Sequence, residues 1–199
     1  MSPDDFTAEL CARAARLVVD DGLDYAGAKR RALRELGPQA GRGASLPSNE
    51  QVEDAVREHI AIFCADTQPA ELRALRELAL RWMERLAEFR PHLAGAAWRG
   101  TATRLSPVLV DLYCDDPKAA EIAFLNQGID FDSRGDEDDE VVLSVEARCP
   151  ALNDFVSIHF MVHDHDDLRG ALKPDSRGAS WRGSTQALRE RLAADEAGR

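Results

Sequence analysis

The sequence predicts an α+β fold in which an N-terminal helical region of four helices precedes a small mixed sheet of four or five strands. Two observations carry this prediction. Apolar residues recur at helical spacing through the first part of the chain, and they alternate with a period of two from Val156 to Val162. We therefore predict a helical region over residues 1–90, a sheet domain over 91–170, and a C-terminal tail with one short helix over 171–199.

The composition of the chain excludes several classes of function. The chain has 199 residues, 44% of them hydrophobic, and a net charge of −11, which argues against nucleic-acid coating and against binding to an anionic membrane surface. Apolar runs stay well below the ~18 residues of a membrane-spanning helix. The acidic N-terminus lacks the features of a signal peptide, so we expect a cytoplasmic protein. Four scattered cysteines without a C-x-x-C pair do not indicate a zinc ribbon.

Cap residues and apolar stripes predict the four helices of the first region. These are Pro3–Asp21 after Ser2, a helix capped by Asp24 that ends at Leu36, a third that begins after Ser48, and Gln68–Phe89 after Thr67. Ser48 and Gln51 have the spacing of a capping box. The stripe of the fourth helix spans about two and a half heptads, too few for a persuasive coiled coil, so it is expected to pack against the domain.

After Pro91 the pattern predicts strands, which we place at His92–Trp98, Val108–Cys114, Ile129–Phe131, Val141–Ala147 and Val156–Val162. A helix at Lys118–Asn126 is expected to bury Ala119, Ile122, Ala123 and Leu125. A final helix at Thr185–Ala194 follows a Ser184 cap. The acidic turn Asp136–Glu140 lacks the calcium-loop pattern and is interpreted as a solvated hairpin.

One stretch carries a family resemblance. Gly95-Ala96 lies in the first predicted strand, Arg99-Gly100-Thr101-Ala102-Thr103 follows, and Ser106 precedes the second strand. This order and spacing resembles the active-site loop of the nucleotidyltransferase superfamily, the polymerase-beta-like fold. The resemblance implies a nucleotide-binding loop, in which glycine lets backbone N–H groups approach phosphate and hydroxyls add donors. The implied site residues are Gly95, Ala96, Arg99, Gly100, Thr101 and Ser106, with Mg²⁺ if the site is catalytic.

The departures from this pattern predict a degraded metal site. Pro107 and Leu109 stand where the family has its two metal-binding aspartates, and neither side chain offers the oxygen ligands that magnesium requires. Asp111 shares a strand face with Leu109, Asp115 follows the strand, and Asp164 is the candidate for a third carboxylate. We therefore expect two-metal nucleotidyl transfer to be weakened or lost.

A wider resemblance covers most of the chain. The segments Asp24-Tyr25-Ala26 and Leu46-Pro47-Ser48-Asn49-Glu50 are similar to those of an uncharacterised bacterial family that joins a helical region to a nucleotidyltransferase-like part. Some of its members are labelled as a ligase of alanine and UDP-N-acetylmuramate. The chain lacks a G-x-x-x-x-G-K-[ST] phosphate loop and is short for such a ligase, so the label carries little weight.

Three alternatives remain open at this stage. His163 and His165, with Asp111, could hold a metal ion, although a solvated polar strand end is the simpler interpretation. The helical region could bind a protein partner or a second copy of the chain. A basic run in the second helix could bind RNA, although a solvated face is favoured; its residues are Lys29, Arg30, Arg31 and Arg34.

Overall fold

The computed structural model describes residues 3–37, 46–135 and 141–197. The predicted Ser2 cap, residues 38–45 and the acidic turn Asp136–Glu140 lie outside the described residues. The chain divides into two compact units, a helical unit up to Pro69 with Thr101–Ser106, and a sheet unit of Ala70–Gly100 with the chain from Pro107 onward. This division differs from the predicted boundary at residue 90, because most of the fourth helix packs on the sheet.

The helical unit contains α1 (Pro3–Asp21), α2 (Tyr25–Leu36) and α3 (Asn49–Phe63), at or within one residue of the predicted positions. Local chemistry sets their starts. Asp24 accepts a hydrogen bond from the Gly27 N–H, and Ser48 and Gln51 form the predicted capping box. The apolar stripes of the three helices meet in one core, which includes Leu10, Ala14, Val18, Ala28, Ala32, Val52 and Val56.

The fourth helix, α4 (Gln68–Arg85), is shorter than predicted. A 3₁₀ turn over Ala87–Phe89 follows it, and Arg90 then adopts a left-handed conformation. The apolar stripe continues through this turn because Phe89 is buried, which explains why periodicity alone placed the helix end too late.

A mixed sheet of six strands forms the centre of the sheet unit within the described residues. The strands are β1 (His92–Ala94), β2 (Val108–Cys114), β3 (Asp132–Arg134), β4 (Val141–Cys149), β5 (Asp154–Asp164) and β6 (Arg182–Ser184). Their order is β3-β4-β5-β2-β1-β6, with β2 and β5 parallel and every other pair antiparallel. The α+β prediction is confirmed, but the predicted strand number was too low because β6 lacks apolar alternation.

Two strand predictions were wrong in extent or place. The strand predicted at His92–Trp98 ends at Ala94, and a short helix, α5 (Gly95–Arg99), begins at Gly95 with a φ of 61°. No strand forms at Ile129–Phe131, since the edge strand β3 begins at Asp132. The strands β2, β4 and β5 contain the predicted segments.

One face of the sheet packs on helices and forms the core. Phe160 of β5 lies with its ring centroid 5.7 Å from Trp82 of α4 and 5.2 Å from Phe124 of α6 (Pro117–Asn126). The predicted apolar face of α6 was wrong, because the helix buries Ala120 and Phe124 and leaves Ile122 and Leu125 exposed. Two further helices, α7 (Leu168–Ala171) and α8 (Thr185–Ala197), lie in the C-terminal part.

The close packing of β6 on α5 gives a test of the fold. A Cβ atom added at Gly183 would lie 2.1 Å from the buried ring of Trp98, so Gly183→Ala must displace that ring. We predict a loss of about 1–3 kcal/mol in the free energy of unfolding, measured by urea titration. Gly170→Ala is the matched control, since nothing lies within 4 Å of its added Cβ. Equal stability of the two variants would contradict this packing.

Candidate functional site

The face of the sheet opposite the core carries a cluster of polar side chains, which we call the polar face. Strand register places its members side by side, because His92 of β1 pairs with Asp111 of β2, and Asp111 pairs with Met161 of β5. The alternation of β5 puts His159 and His163 on this face and Ile158, Phe160 and Val162 in the core, as predicted.

Asp111 is the centre of the cluster. Its carboxylate is buried, with 2% of the residue exposed. Oδ1 lies 2.9 Å from Nε2 of His163, and Oδ2 lies 3.1 Å from Nε of Arg182 on β6. The second contact is close enough for a charge interaction but is not aligned as a hydrogen bond. A buried carboxylate needs such partners because an unpaired charge in the interior is strongly unfavourable.

Aromatic rings and a second arginine contact extend the cluster. Nη1 of Arg182 donates a 2.9 Å hydrogen bond to the Tyr113 hydroxyl, and the Tyr113 ring stacks on His163 at a centroid distance of 5.3 Å. Burial raises the pKa of Tyr113, and the nearby Asp111 adds to this effect while Arg182 opposes it. Burial lowers the pKa of His92, although its Nδ1 lies 2.8 Å from the Arg90 carbonyl, a contact that acts in the opposite direction.

The predicted metal ligands do not all converge on one site. Among the residues that the structure describes, no three His, Cys, Asp or Glu side chains are placed to hold a metal ion. Asp164 accepts a hydrogen bond from the Asp166 N–H, Asp115 is exposed after β2, and His165 lies against Arg90. Of these candidates His163 reaches Asp111, and it does so as a hydrogen-bond partner.

Leu109 fills the space beside the glycine turn. Gly95 has a left-handed backbone, and a Cβ added there would lie 2.8 Å from Cδ1 of Leu109. An aliphatic side chain of β2 therefore packs directly against the turn at Gly95. Ala96 lies half-buried in α5, and Gly100 ends that helix with a φ of 86°.

Arg99 already holds an anion from its own chain. Its side chain is 9% exposed, and Nη2 lies 2.8 Å from Oδ2 of the buried Asp175 carboxylate. The guanidinium also lies over the Trp181 ring at 4.5 Å and donates to the Ser180 carbonyl. Burial would raise the pKa of Asp175, but hydrogen bonds from the backbone of Ala179 and Arg177, and from Arg99, lower it overall.

The remaining residues of the predicted loop belong to the helical unit. Thr101 Oγ1 lies 3.5 Å from the Tyr25 hydroxyl, and Ser106 Oγ accepts a 3.0 Å hydrogen bond from the Thr103 N–H. Both Thr101 and Ser106 are buried. The structure thus groups Gly95, Ala96, Arg99 and Gly100 in one compact unit, and Thr101 and Ser106 in the other.

The basic run of α2 contributes to the packing of the helical unit. Lys29 donates to the Pro47 carbonyl and to Asn49, and Arg31 pairs with Asp21 and Glu35. Two of the four cations proposed for RNA binding therefore have partners within their own unit.

Arg182 and Asp175 were missed by the sequence interpretation. Both lie in a polar segment without periodicity, and their contacts join residues about 70 positions apart. The strand alternation that places Asp111 and Tyr113 on one face was a usable signal for a buried carboxylate in need of a partner.

Comparison with known proteins adds no relative. No protein-family model matches the chain, and no curated protein or solved structure is similar enough to count as a match. Within the described residues, no helix has the length and apolar character needed to cross a membrane.

The Asp111 cluster can be tested by removing its charge. Asp111→Asn leaves Arg182 next to a neutral amide in a largely buried position, so we predict a loss of about 3 kcal/mol in the free energy of unfolding. Asp115→Asn is the matched control, since that carboxylate is exposed, and we expect little change. Urea titration followed by tryptophan fluorescence measures both, and a stability for Asp111→Asn equal to the control would contradict the cluster's role.

Proposed function

We propose that the sheet unit is a nucleotidyltransferase-like module that has lost two-metal nucleotidyl transfer and retains the ability to bind the phosphate of a nucleotide. The proposal rests on the resemblance of the Gly95–Ser106 stretch together with the side chains that surround it. It assigns binding to the part of that stretch within the sheet unit, namely Gly95, Ala96, Arg99 and Gly100.

The contacts of Leu109 and Asp111 support the proposed loss of nucleotidyl transfer. Two-metal catalysis needs carboxylates that present free oxygens to both ions. Leu109 packs on Gly95 instead, and both oxygens of Asp111 lie against cationic or hydrogen-bonding partners. Binding a divalent ion at Asp111 would require it to release Arg182 and His163.

The single observation that supports anion binding is the Arg99–Asp175 pair. Arg99 is the last residue of the short helix that begins at Gly95, and its Nη2 already lies 2.8 Å from a carboxylate oxygen in a site screened from water. A phosphate group is also an anion, and its oxygens match the geometry of a guanidinium as those of a carboxylate do. A nucleotide would therefore compete with the Asp175 side chain for Arg99.

This competition predicts opposite effects for two variants. Calorimetric titration with ATP, GTP, CTP and UTP in the presence of magnesium should give weak binding for the native chain and at least tenfold tighter binding for Asp175→Asn, which frees Arg99. Arg99→Ala should abolish binding. Arg169→Ala, which removes an exposed arginine of α7, should leave binding unchanged.

The contrary result is equally clear. If none of the four nucleotides binds the folded native chain or folded Asp175→Asn at millimolar concentration, Arg99 is a structural residue and the proposal is wrong. Circular dichroism of each variant establishes that it is folded.

A non-catalytic interaction module remains the second candidate, and one observation favours it. The last turn of α3 exposes Ile62 and Phe63, at 65% and 70% of their surfaces, in the helical unit. Adjacent exposed apolar side chains at a helix end are typical of contact with another protein. Failure of the nucleotide titration would leave this candidate as the better account.

A further inference from the structure

A basic groove lies beside the uncovered part of an edge of the sheet. Strand β3 pairs with β4 only at Val142, Leu143 and Ser144 within the described part of the chain. The rest of β4, Val145–Cys149, has β5 on one side and no strand partner on the other among the described residues. Backbone groups along this edge are therefore available to pair with an added strand.

A cavity of about 460 Å³ lies along that edge. Helix α4 contributes Leu78, Arg81, Trp82 and Arg85 to its wall, and β4 contributes the stretch from Val145 to Arg148. Gly128, Ile129 and Asp130 complete the lining. The cavity thus combines an open strand edge with a helix that presents cationic side chains.

The arginines of this groove form no ion pairs with the described residues. No carboxylate forms an ion pair with Arg81, Arg85 or Arg148 among the described residues. Arg85 contacts the neutral side-chain and backbone oxygens of Gln127. Two carboxylates, Asp130 and Glu146, also line the cavity, so its three arginines leave a net positive charge there. In a chain with a net charge of −11, such a local excess of positive charge favours an anionic ligand.

The aromatic residue of the groove argues against a nucleobase as that ligand. The Arg85 guanidinium lies over the Trp82 ring at 5.2 Å, and Phe160 lies at 5.7 Å from the same ring. Trp82 is therefore already in contact with a cation and a core ring, and it offers little surface on which a base could stack. The free backbone edge instead suits an extended peptide.

We propose that this groove binds an acidic, extended segment of a partner protein, which adds as a strand to β4. Alternate side chains of the added strand would point toward α4, where carboxylates meet Arg81 and Arg85. Arg148 lies on the opposite face of β4 by strand alternation. The uncovered edge is roughly 17 Å long at a rise of ~3.4 Å per residue, enough for a segment of about five residues. This site is independent of the Arg99 site.

The test uses a fluorescein-labelled peptide of alternating glutamate and valine, about seven residues long, titrated with the full chain and followed by fluorescence anisotropy at low salt. We expect saturable binding that weakens at least tenfold for Arg81→Glu/Arg85→Glu. Arg169→Glu is the matched control and should bind like the native chain. A peptide N-methylated at alternate residues, which cannot pair along its edge, should not bind.

Several results would overturn the proposal. These are the absence of saturation at millimolar concentration, equal binding of the N-methylated peptide, or equal affinity of folded variants and the native chain. Binding of ATP that is lost in Arg81→Glu/Arg85→Glu, without binding of the peptide, would instead assign the groove to a small anion. Arg99→Ala leaves this groove intact, so the peptide titration and the nucleotide titration test the two sites separately.

Discussion

A carboxylate in the middle of a sheet needs partners that balance its charge. The contacts and register of Asp111 link four strands in this way. Its backbone lies in β2, its side chain meets His163 of β5 and Arg182 of β6, and His92 of β1 lies opposite it in register. Since the residue is almost fully buried, removal of either partner would leave a charge with little access to water. The polar face therefore stabilises the sheet through side-chain contacts that join its strands.

The C-terminal part of the chain makes a second set of charged contacts around the glycine turn. Asp175 holds Arg99, Arg191 lies over the Trp98 ring at 3.8 Å, and Asp195 pairs with Arg76 at 2.9 Å. Burial lowers the pKa of Arg76, while Asp195 opposes that effect. These contacts make the segment after β5 part of the sheet unit.

Local signals predicted much of the fold. The caps at Asp24 and Ser48 and the alternation of β5 depend on neighbouring residues, so they could be read from the sequence. What could not be predicted depends on distant residues: the turn of α5 at Gly95 relies on packing with Leu109, and β6 forms because β1 supplies its partner. The pairing of Asp111 with Arg182 likewise depends on residues that are distant in the sequence.

Both oxygens of Asp111 lie against side chains of the chain itself, so we expect that the polar face does not bind a metal ion. Titration of the native chain with Mn²⁺, followed by electron paramagnetic resonance, tests this directly, because free and protein-bound Mn²⁺ give distinct signals. We predict no stoichiometric binding up to about millimolar Mn²⁺, since hard cations need free oxygen ligands. Stoichiometric binding that is lost in folded Asp111→Asn but kept in Asp115→Asn would contradict the account.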